Sequence, residues 1–208
     1  MQVINASTEI LDNIDPVRIM QNIEKIGRIC YKSEDRITSD SAEKFIGNII
    51  KSGHESVIEH EKISVRFICD RGVTHEIVRH RIASYSQEST RYCNYTKDKF
   101  GSELTFIKPC FWNENTDNYQ IWKNQMQAAE DAYNALIAGG ATPEEARSVL
   151  PTSLKTEIAV TMDLREWRHF LKLRGSIRSH PQMREVVLPL LAKFKELLPV
   201  IFEDINVE

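Results

Sequence analysis

Residues 76–92 hold a dense group of charged, hydroxyl and amide side chains. Three arginines stand in this stretch, and the planar guanidinium group presents forked donors that match phosphate oxygens. Arg79, Arg81 and Arg91 together could neutralise a multiply charged anion. The pattern therefore predicts an anion site. The alternative is a solvated basic loop, because exposed arginine is common in proteins.

The second half of this stretch offers side chains that could hydrogen-bond a ligand. If it is extended, Gln87, Ser89 and Arg91 lie on one face, because side chains alternate along a strand with a period of two. No residue adjacent to Ser89 identifies a general base for it. We therefore expect Ser89 to hydrogen-bond a substrate rather than to attack it.

A second concentration of positive charge covers residues 165–184. Leu164, Trp167 and Leu171 form the inward stripe of a predicted helix, and the next position at helical spacing is Arg174. An inward-pointing guanidinium needs a partner, which is either an anionic ligand or a distant carboxylate. The alternative is a side chain that reaches outward to solvent. The sequence leaves all three explanations open. The cations of this stretch are Arg165, Arg168, Lys172, Arg174, Arg178 and Arg184.

The histidines do not match a zinc motif. His75 and His80 are five residues apart, about 140° round a helix, whereas the H-E-x-x-H motif places its two ligands on one face. His54 and His60 follow Gly53 and are more simply interpreted as ordinary hydrogen-bonded histidines. The chain also lacks G-x-G-x-x-G, Walker A and G-x-S-x-G sequences. We predict no metal, no Rossmann dinucleotide site and no nucleophile elbow.

Composition places the chain among ordinary globular proteins. Of its 208 residues, 41% are hydrophobic and 27% are charged, and the net charge of −3 argues against a surface built for long nucleic acids. The four cysteines form no C-x-x-C pair, which favours reduced thiols and a cytoplasmic location. The first residues lack the pattern of an export signal, and we expect no membrane span.

Periodicity and capping residues predict the elements that must position these side chains. Apolar residues at helical or alternating spacing, bounded by Pro, Gly and capping residues, indicate a mixture of strands and helices. We see no internal repeat and no linker long enough to divide the chain. The predicted strands cover residues 2–11, 62–70 and 155–162, and the predicted helices cover residues 16–31, 41–52, 72–81, 115–138, 142–150, 163–173 and 181–201, the last kinked or interrupted by Pro189 and Pro199.

Taken together, these residues resemble the sequence pattern of flavin-dependent thymidylate synthases (the ThyX family). The resemblance lies in an Arg-His-Arg triplet that is followed, after seven residues, by a Ser-Thr-Arg-Tyr run. Other matching segments are spread along much of the chain, and the combination is far more specific than any one of them. The matching residues are Arg79-His80-Arg81, Ser89-Thr90-Arg91-Tyr92, His54-Glu55-Ser56 with Glu59-His60, and the segments 146–151 and 164–174.

The resemblance implies a reaction, a fold and an assembly. The reaction is the reductive methylation of dUMP to dTMP, with methylenetetrahydrofolate as carbon donor and NADPH as the reductant of a bound FAD. The fold is α+β, an antiparallel sheet flanked by helices, in a single domain over residues 1–208. The assembly is a homotetramer with sites shared between subunits. No nucleic acid polymer and no membrane is expected as a partner.

The resemblance also implies roles for individual residues. The residues expected to be catalytic are Arg174, Ser89 and His54. Arg174 lies at the pyrimidine and favours ionisation of its N3, Ser89 contacts the substrate, and His54 lies near the flavin and the folate. The residues expected to meet dUMP are Glu76, Arg79, Gln87, Glu88, Ser89, Thr90, Arg91, Arg147 and Arg174. The residues expected to meet FAD are Ser56, Arg79, His80, Arg81, Gln87, Asp163, Leu164, Arg165 and His169.

Some positions depart from the family's common pattern. The departures are Ser86-Gln87 in place of Asn-Glu, Glu76 in place of Gln, and Asp163 and His169 where Asn is often found. A carboxylate at Asp163 is unfavourable beside an anionic cofactor, unless Arg165 or Arg168 offsets its charge or the carboxylate caps the helix.

Two other classes of function follow from the residues alone. Basic side chains together with Tyr85, Tyr92 and Tyr95 could serve the phosphate and stacking contacts of an RNA- or nucleotide-binding module, although the net acidic charge disfavours one. A phosphate-ester hydrolase is the weaker alternative, because it needs a metal cluster or a nucleophile-base pair that the sequence does not show.

Overall fold

The computed structural model describes residues 1–95 and 103–207. Short 3₁₀ helices at Glu34–Arg36, Glu55–His60 and Arg147–Val149 join longer elements. The strands in these residues are β1 Gln2–Ile4, β2 Ser7–Ile10, β3 Lys62–Asp70, β4 Ser84–Gln87, β5 Thr105–Ile107 and β6 Lys155–Asp163. The helices are α1 Pro16–Tyr31, α2 Ser41–Lys51, α3 Arg71–Ile77, α4 Asp117–Ala138, α5 Pro143–Ala146, α6 Leu164–Gly175, α7 Pro181–Leu197 and α8 Pro199–Phe202.

The strands form two sheets. β1 and β5 pair in parallel, with Gln2 opposite Thr105 and Ile4 opposite Ile107. The other four strands have the order β2-β3-β6-β4, and they make an antiparallel sheet flanked by helices. Residues of its two central strands alternate between buried and half-buried, as one mainly buried face requires.

Two strand predictions differ from the structure. Residues 2–11 do not form one strand, because β1 pairs with β5 whereas β2 joins the edge of the larger sheet. The sequence also gives no indication of β5, since three residues are too few to show an alternating pattern. Both differences arise from strand pairing, which depends on residues that are distant in the chain.

Helices begin where the capping residues predict. Asp15 accepts a hydrogen bond from the backbone N–H of Arg18 at 3.1 Å, directly before a proline at the first helical position. Thr142 and Glu145 form a reciprocal capping box at the start of α5. Each cap satisfies backbone donors that the helix itself cannot.

Two predicted helices end or break elsewhere. The helix predicted over residues 72–81 is α3, which begins after the cap Asp70 and ends at Ile77. Pro189 lies inside α7 without ending it, and the break comes at Leu198, before Pro199 begins α8. A helical proline removes only one backbone hydrogen bond, so the packing of its neighbours can keep the helix continuous.

The chain folds as two compact units. β2, β3, β4 and β6 each contribute residues to both. The first unit contains Met1–Thr8, Phe67–Arg79 and Tyr85–Ala159, and the second contains Glu9–Arg66, His80–Ser84 and Val160–Glu208. The single domain over residues 1–208 stays a prediction.

The first unit has its core on one face of α4. Tyr119, Trp122, Met126 and Tyr133 recur at helical spacing and are buried together with Phe106 of β5. The one polar group of the Trp122 ring is hydrogen-bonded in this core. Its indole N–H donates to the hydroxyl of Ser153, just before β6, at 3.1 Å.

The second unit is centred on α6 and α7. Trp167 is fully buried, and its indole N–H donates to the carbonyl of Ile63 at 2.9 Å. Its ring meets Phe170 and Phe194 edge-on, at centroid distances of 5.5 and 5.4 Å. This packing fixes which face of α6 points inward. None of the described helices is both long and apolar enough to cross a bilayer.

Candidate functional site

The inward face of α6 ends in a charged residue, as its spacing predicts. Leu164, Trp167 and Leu171 are fully buried, and Arg174, one turn further on, is half-buried. The guanidinium Nε of Arg174 donates a hydrogen bond to Nε2 of His80 at 3.1 Å. The structure thus gives this arginine an imidazole partner, which the sequence did not indicate.

The second nitrogen of this imidazole faces a carboxylate. Nδ1 of His80 lies 2.9 Å from Oε1 of Glu166, and only 5% of His80 is exposed. Burial lowers the pKa of His80 most, Glu166 opposes that effect, and the positive charge of Arg174 adds to it. The net effect is a lowered pKa, so the imidazole is neutral near pH 7.

His169 lies beside this imidazole. The rings of His80 and His169 have centroids 5.5 Å apart. With Glu166, the two histidines bring three possible metal-ligand atoms within 4.8 Å of one another. Both ring nitrogens of His80, however, face hydrogen-bond partners. The expectation that the protein binds no metal stays a prediction.

A cavity of about 610 Å³ opens beside α6. Three of the residues that the resemblance assigns to FAD line it, namely Asp163, Arg165 and His169. Its volume lies in the range of small-molecule sites. The other lining residues mix cations, carboxylates and two isoleucines, and they are Glu55, Glu59, Ile82, Glu166, Arg168, Lys172 and Ile205.

Asp163 is the N-cap of α6. Its carboxylate accepts a hydrogen bond from the backbone N–H of Glu166 at 2.8 Å. Burial raises the pKa of Asp163, the negative charges of Glu59 and Glu166 add to this, and the backbone hydrogen bonds only partly oppose it. Of the two explanations for a carboxylate at this position, helix capping is the one that a hydrogen bond shows, and the charge of Asp163 also acts on Arg165.

The neighbouring arginines are engaged with other carboxylates. Arg165 contacts Glu59 at 2.5 Å, and Arg168 contacts Glu55 at 3.0 Å and Asp204 at 2.6 Å. Burial alone lowers the pKa of Arg168, but its hydrogen bond to Asp204 and the nearby carboxylates raise it overall. Each of these guanidinium groups has an acidic partner other than Asp163.

In the first unit, the chain turns directly after β4. The backbone N–H groups of Tyr92 and Cys93 both donate to the carbonyl of Ser89, at 3.3 and 3.0 Å. The N–H of Arg91 donates to the Ser89 hydroxyl at 3.2 Å. β4 ends at Gln87, so residues 87–91 are not one extended strand, and the condition under which Gln87, Ser89 and Arg91 would share one strand face is not met. A serine hydroxyl that bonds its own backbone competes with the extended conformation.

Gln87 ends β4 in a fixed orientation. Its amide nitrogen donates to the hydroxyl of Thr74 at 3.1 Å and to the hydroxyl of Thr156 at 3.3 Å. Thr156 is fully buried. The departure from the family's Glu thus places an amide donor where two hydroxyl oxygens can accept.

Glu88 has partners for both carboxylate oxygens. Tyr95 donates its hydroxyl at 2.7 Å, and the ammonium of Lys155 lies 3.0 Å away. Burial and the charge of Glu88 raise the pKa of Tyr95. Burial lowers the pKa of Lys155, but hydrogen bonds to Glu157 and Glu88 raise it overall. This network holds the start of the turn.

One exposed arginine lies in the turn and a second contacts it. Arg91 lies 3.4 Å from Glu144 and 5.5 Å from the ring centre of Tyr92. Arg147 donates to the hydroxyl of Thr90 at 3.5 Å. Arg79 and Arg81 are also exposed. Exposure is compatible with the anion site and with the solvated loop that the sequence left open.

His54 lies at a different cavity from the one beside α6. Its Nδ1 is 2.9 Å from the hydroxyl of Tyr31, which agrees with the interpretation of an ordinary hydrogen-bonded histidine. Ser56 is exposed in a 3₁₀ helix and lines neither cavity. The second cavity, of about 650 Å³, is lined by Arg28, Tyr31, Lys32, Ser33, Asp35, Arg36, Phe45, Asn48, Ile49, Ser52 and His54.

Comparison with known proteins gives the family. The sequence model described as thymidylate synthase complementing protein (Thy1) matches residues 15–200. A flavin-dependent thymidylate synthase of Geobacter sulfurreducens is 35% identical over 184 residues, which cover 85% of this chain and 78% of that protein. One from Pyrococcus furiosus is 38% identical over 179 residues, which cover 84% and 72%. The chain belongs to the flavin-dependent thymidylate synthase family.

A solved structure agrees with this fold. The UMP/dUMP methylase PolB from Streptomyces cacaoi, bound with 5-Br dUMP, has a TM-score of 0.78 over 98% of this chain and 96% of that chain, at 23% identity. The likeness confirms the predicted fold class, and the family matches confirm the resemblance found from the sequence.

The residues predicted for the two ligands divide between the two compact units. Of the predicted dUMP residues, only Arg174 belongs to the second unit. Of the predicted FAD residues, only Arg79 and Gln87 belong to the first. The individual contacts with dUMP and FAD stay predictions.

The structure adds two residues that the sequence interpretation did not single out. Glu166 holds His80, and Lys155 holds Glu88. The sequence contained an indication for Glu166, because this residue lies two helical turns before Arg174, near the same face of the helix. Lys155 had none, since the contact joins residues that are 67 positions apart.

Proposed function

We propose that this protein catalyses the reductive methylation of dUMP to dTMP, with methylenetetrahydrofolate as carbon donor and NADPH as reductant of a bound FAD. The observation that carries the proposal is the family match over residues 15–200, which includes both basic segments. Family membership confirms the predicted enzyme class and its flavin cofactor. The reaction is the one that gives the family its name.

The turn after β4 binds the nucleotide in this proposal. Arg91 and Arg147 are exposed there, and guanidinium groups pair well with a phosphate dianion. The contact between Arg91 and Glu144 is long at 3.4 Å and solvent-exposed, so a phosphate can displace it at low cost. Ser89 hydrogen-bonds the substrate through its hydroxyl, and no nucleophilic role is needed.

The cavity beside α6 is the place for the flavin. Arg165 and Lys172 supply positive charge that suits a pyrophosphate, and His169 adds a ring and a hydrogen-bonding nitrogen. Asp163 caps the helix there, so its carboxylate serves the fold. FAD, when bound, supplies the redox chemistry that these side chains cannot.

Arg174 acts on the pyrimidine in this proposal. A fixed guanidinium near the base stabilises negative charge as the N3 proton leaves. The hydrogen bond to His80 holds the group in one orientation before substrate arrives, and pre-organised charge is the most effective kind. The chain therefore supplies the electrostatic part of catalysis.

The proposal extends to the assembly and the location. The enzyme is a homotetramer whose sites combine residues of several subunits, and it works in the cytoplasm. Neighbouring subunits can cover large apolar side chains that are mostly exposed on the single chain, among them Ile82, Ile177 and Tyr92.

Absorbance spectroscopy of the purified protein tests the proposed function. We expect a yellow protein whose flavin band is bleached by NADPH without oxygen, and formation of dTMP when dUMP and methylenetetrahydrofolate are added. Omission of dUMP is the control for the last step. A colourless protein that stays inert after FAD is supplied would overturn the proposal.

A further inference from the structure

We propose that Glu166 and His80 are positioning residues for Arg174. The inference deepens the proposed function, because it assigns the side chains that orient the guanidinium at the pyrimidine. It rests on two consecutive hydrogen bonds, from Nε of Arg174 to Nε2 of His80 at 3.1 Å and from Nδ1 of His80 to Glu166 at 2.9 Å.

The donors and acceptors of these two hydrogen bonds allow only one arrangement of protons on the imidazole. A guanidinium group carries donors and no acceptor, so Nε2 of His80 must present a lone pair to Arg174. The remaining ring proton then lies on Nδ1, where it faces the carboxylate of Glu166. Glu166 thus fixes the tautomer that allows the imidazole to accept from Arg174.

The surroundings favour this neutral tautomer. The side chain of His80 is 3% exposed and that of Glu166 is 11% exposed. Among the described residues, the charged or titratable groups that act on the imidazole include Glu166, Arg174 and His169, and the ring of Phe170 packs edge-on against it at 4.8 Å. A second proton would place a donor opposite the Arg174 donor and break their hydrogen bond.

The same geometry limits what His80 can do for the flavin. Both of its ring nitrogens already face partners within the second unit. A hydrogen bond from either nitrogen to FAD would break one of the two hydrogen bonds that orient Arg174. The proposal therefore gives the imidazole of His80 the role of orienting Arg174, and leaves cofactor hydrogen bonds to the side chains that line the cavity.

Nitrogen-15 NMR of the histidine rings tests the tautomer directly. Six histidines are present, and the His80 signals are those that remain when each of the other five has been replaced in turn. In the purified flavin-loaded protein near pH 7, we expect a protonated Nδ1 and an unprotonated Nε2. A protonated Nε2, or a doubly protonated ring, would overturn the proposal.

Substitution of Glu166 tests the consequence for catalysis. In Glu166→Gln the neutral amide can donate or accept, so the selection of the tautomer rests on Arg174 alone. We expect kcat per bound flavin to fall about 10- to 100-fold, as when the hydrogen-bond partner of a metal-bound histidine is removed. Bleaching by NADPH should be retained, and Glu166→Asp, which keeps the carboxylate, should recover part of the loss.

A pH profile separates positioning from a purely structural role. Glu166 raises the pKa of His80, so its removal should move the acid limb of kcat/KM to lower pH. Glu196→Gln is the matched control, because Glu196 is an exposed residue of α7 paired with Lys193, and it should leave kcat and the acid limb unchanged. Unchanged kcat and acid limb in Glu166→Gln would overturn the proposal.

A wild-type protein that forms no dTMP would instead overturn the proposed function, while the NMR result would still decide the tautomer.

Discussion

Arg174 is a charged residue at the end of the inward-facing stripe of α6. The stripe buries Leu164, Trp167 and Leu171, so the arginine at the next turn is held close to the fold and contacts His80. Burying a cation in this position costs folding free energy unless the cation is paired or hydrogen-bonded. Its task in the proposed reaction is to stabilise charge on the pyrimidine.

Replacement of Arg174 by Ala should remove this stabilisation of charge on the pyrimidine without releasing the flavin. We expect kcat for dTMP formation to fall by at least about 100-fold, as when a pre-organised donor to an anionic transition state is lost. The yellow colour should stay. Arg178→Ala is the control, because Arg178 is exposed just after α6. Activity within a few-fold of wild type in Arg174→Ala would contradict the assigned role.

Replacement of Asp163 by Asn should stabilise the protein near neutral pH. Asn caps helices about as well as Asp, so the hydrogen bond to Glu166 N–H is kept. The pKa of Asp163 is raised in the folded state, so its contribution to stability is present at low pH and is lost as pH rises through that pKa. Asn removes the charge responsible for that loss.

The measurement is thermal unfolding at two pH values. Asp163→Asn should melt at a higher temperature than wild type at pH 7, and the difference should vanish below pH 4. Asp163→Ala, which loses the cap, should cost about 1 kcal/mol of unfolding free energy. A lower melting temperature for Asp163→Asn at pH 7 would contradict the pKa direction.

At the scale of elements, α1 and α2 approach closely at a glycine. A Cβ added to Gly27 would lie 2.6 Å from the ring of Phe45 and 2.9 Å from the side chain of Val57. Both neighbours belong to packed elements, and Val57 is buried. The glycine is thus required by the packing of the helices rather than by its backbone conformation.

Gly27→Ala should destabilise the fold by about 1–3 kcal/mol, the usual cost of overpacking. Gly47→Ala in α2 is a matched control, because its Cβ would meet only Val200 at an ordinary 3.5 Å. That change should be neutral or should stabilise the helix by up to about 1 kcal/mol. Chemical denaturation of both variants gives the comparison, and equal stabilities would refute the close packing.

At the scale of the whole molecule, the proposed assembly can be tested by mass. Sedimentation should give a particle of four 24.0 kDa chains. Its melting temperature should rise with added FAD, because a ligand that binds only the folded state stabilises it. At 100 times its dissociation constant FAD contributes about 2.7 kcal/mol. A monomer that binds a full equivalent of FAD would contradict shared sites.

Much of this protein could be predicted from its sequence because the information was local. Asp15 and Pro16 mark the start of α1, and alternating residues mark β3 with its observed bounds. Helical spacing alone places Arg174 on the inward face of α6. The Arg79 triplet and the Ser89 run, together with the other matching segments, identify the family, which the comparisons confirm.

Tertiary structure decided which residues meet. Glu166 and Arg174 contact His80 across 86 and 94 positions of sequence, and periodicity within one element carries no information about such partners. Strand pairing likewise divided residues 2–11 between two sheets, and hydrogen bonds to Ser89 form a turn where the segment could have stayed extended. Local patterns report the face that a side chain occupies, whereas its partner depends on how distant elements pack.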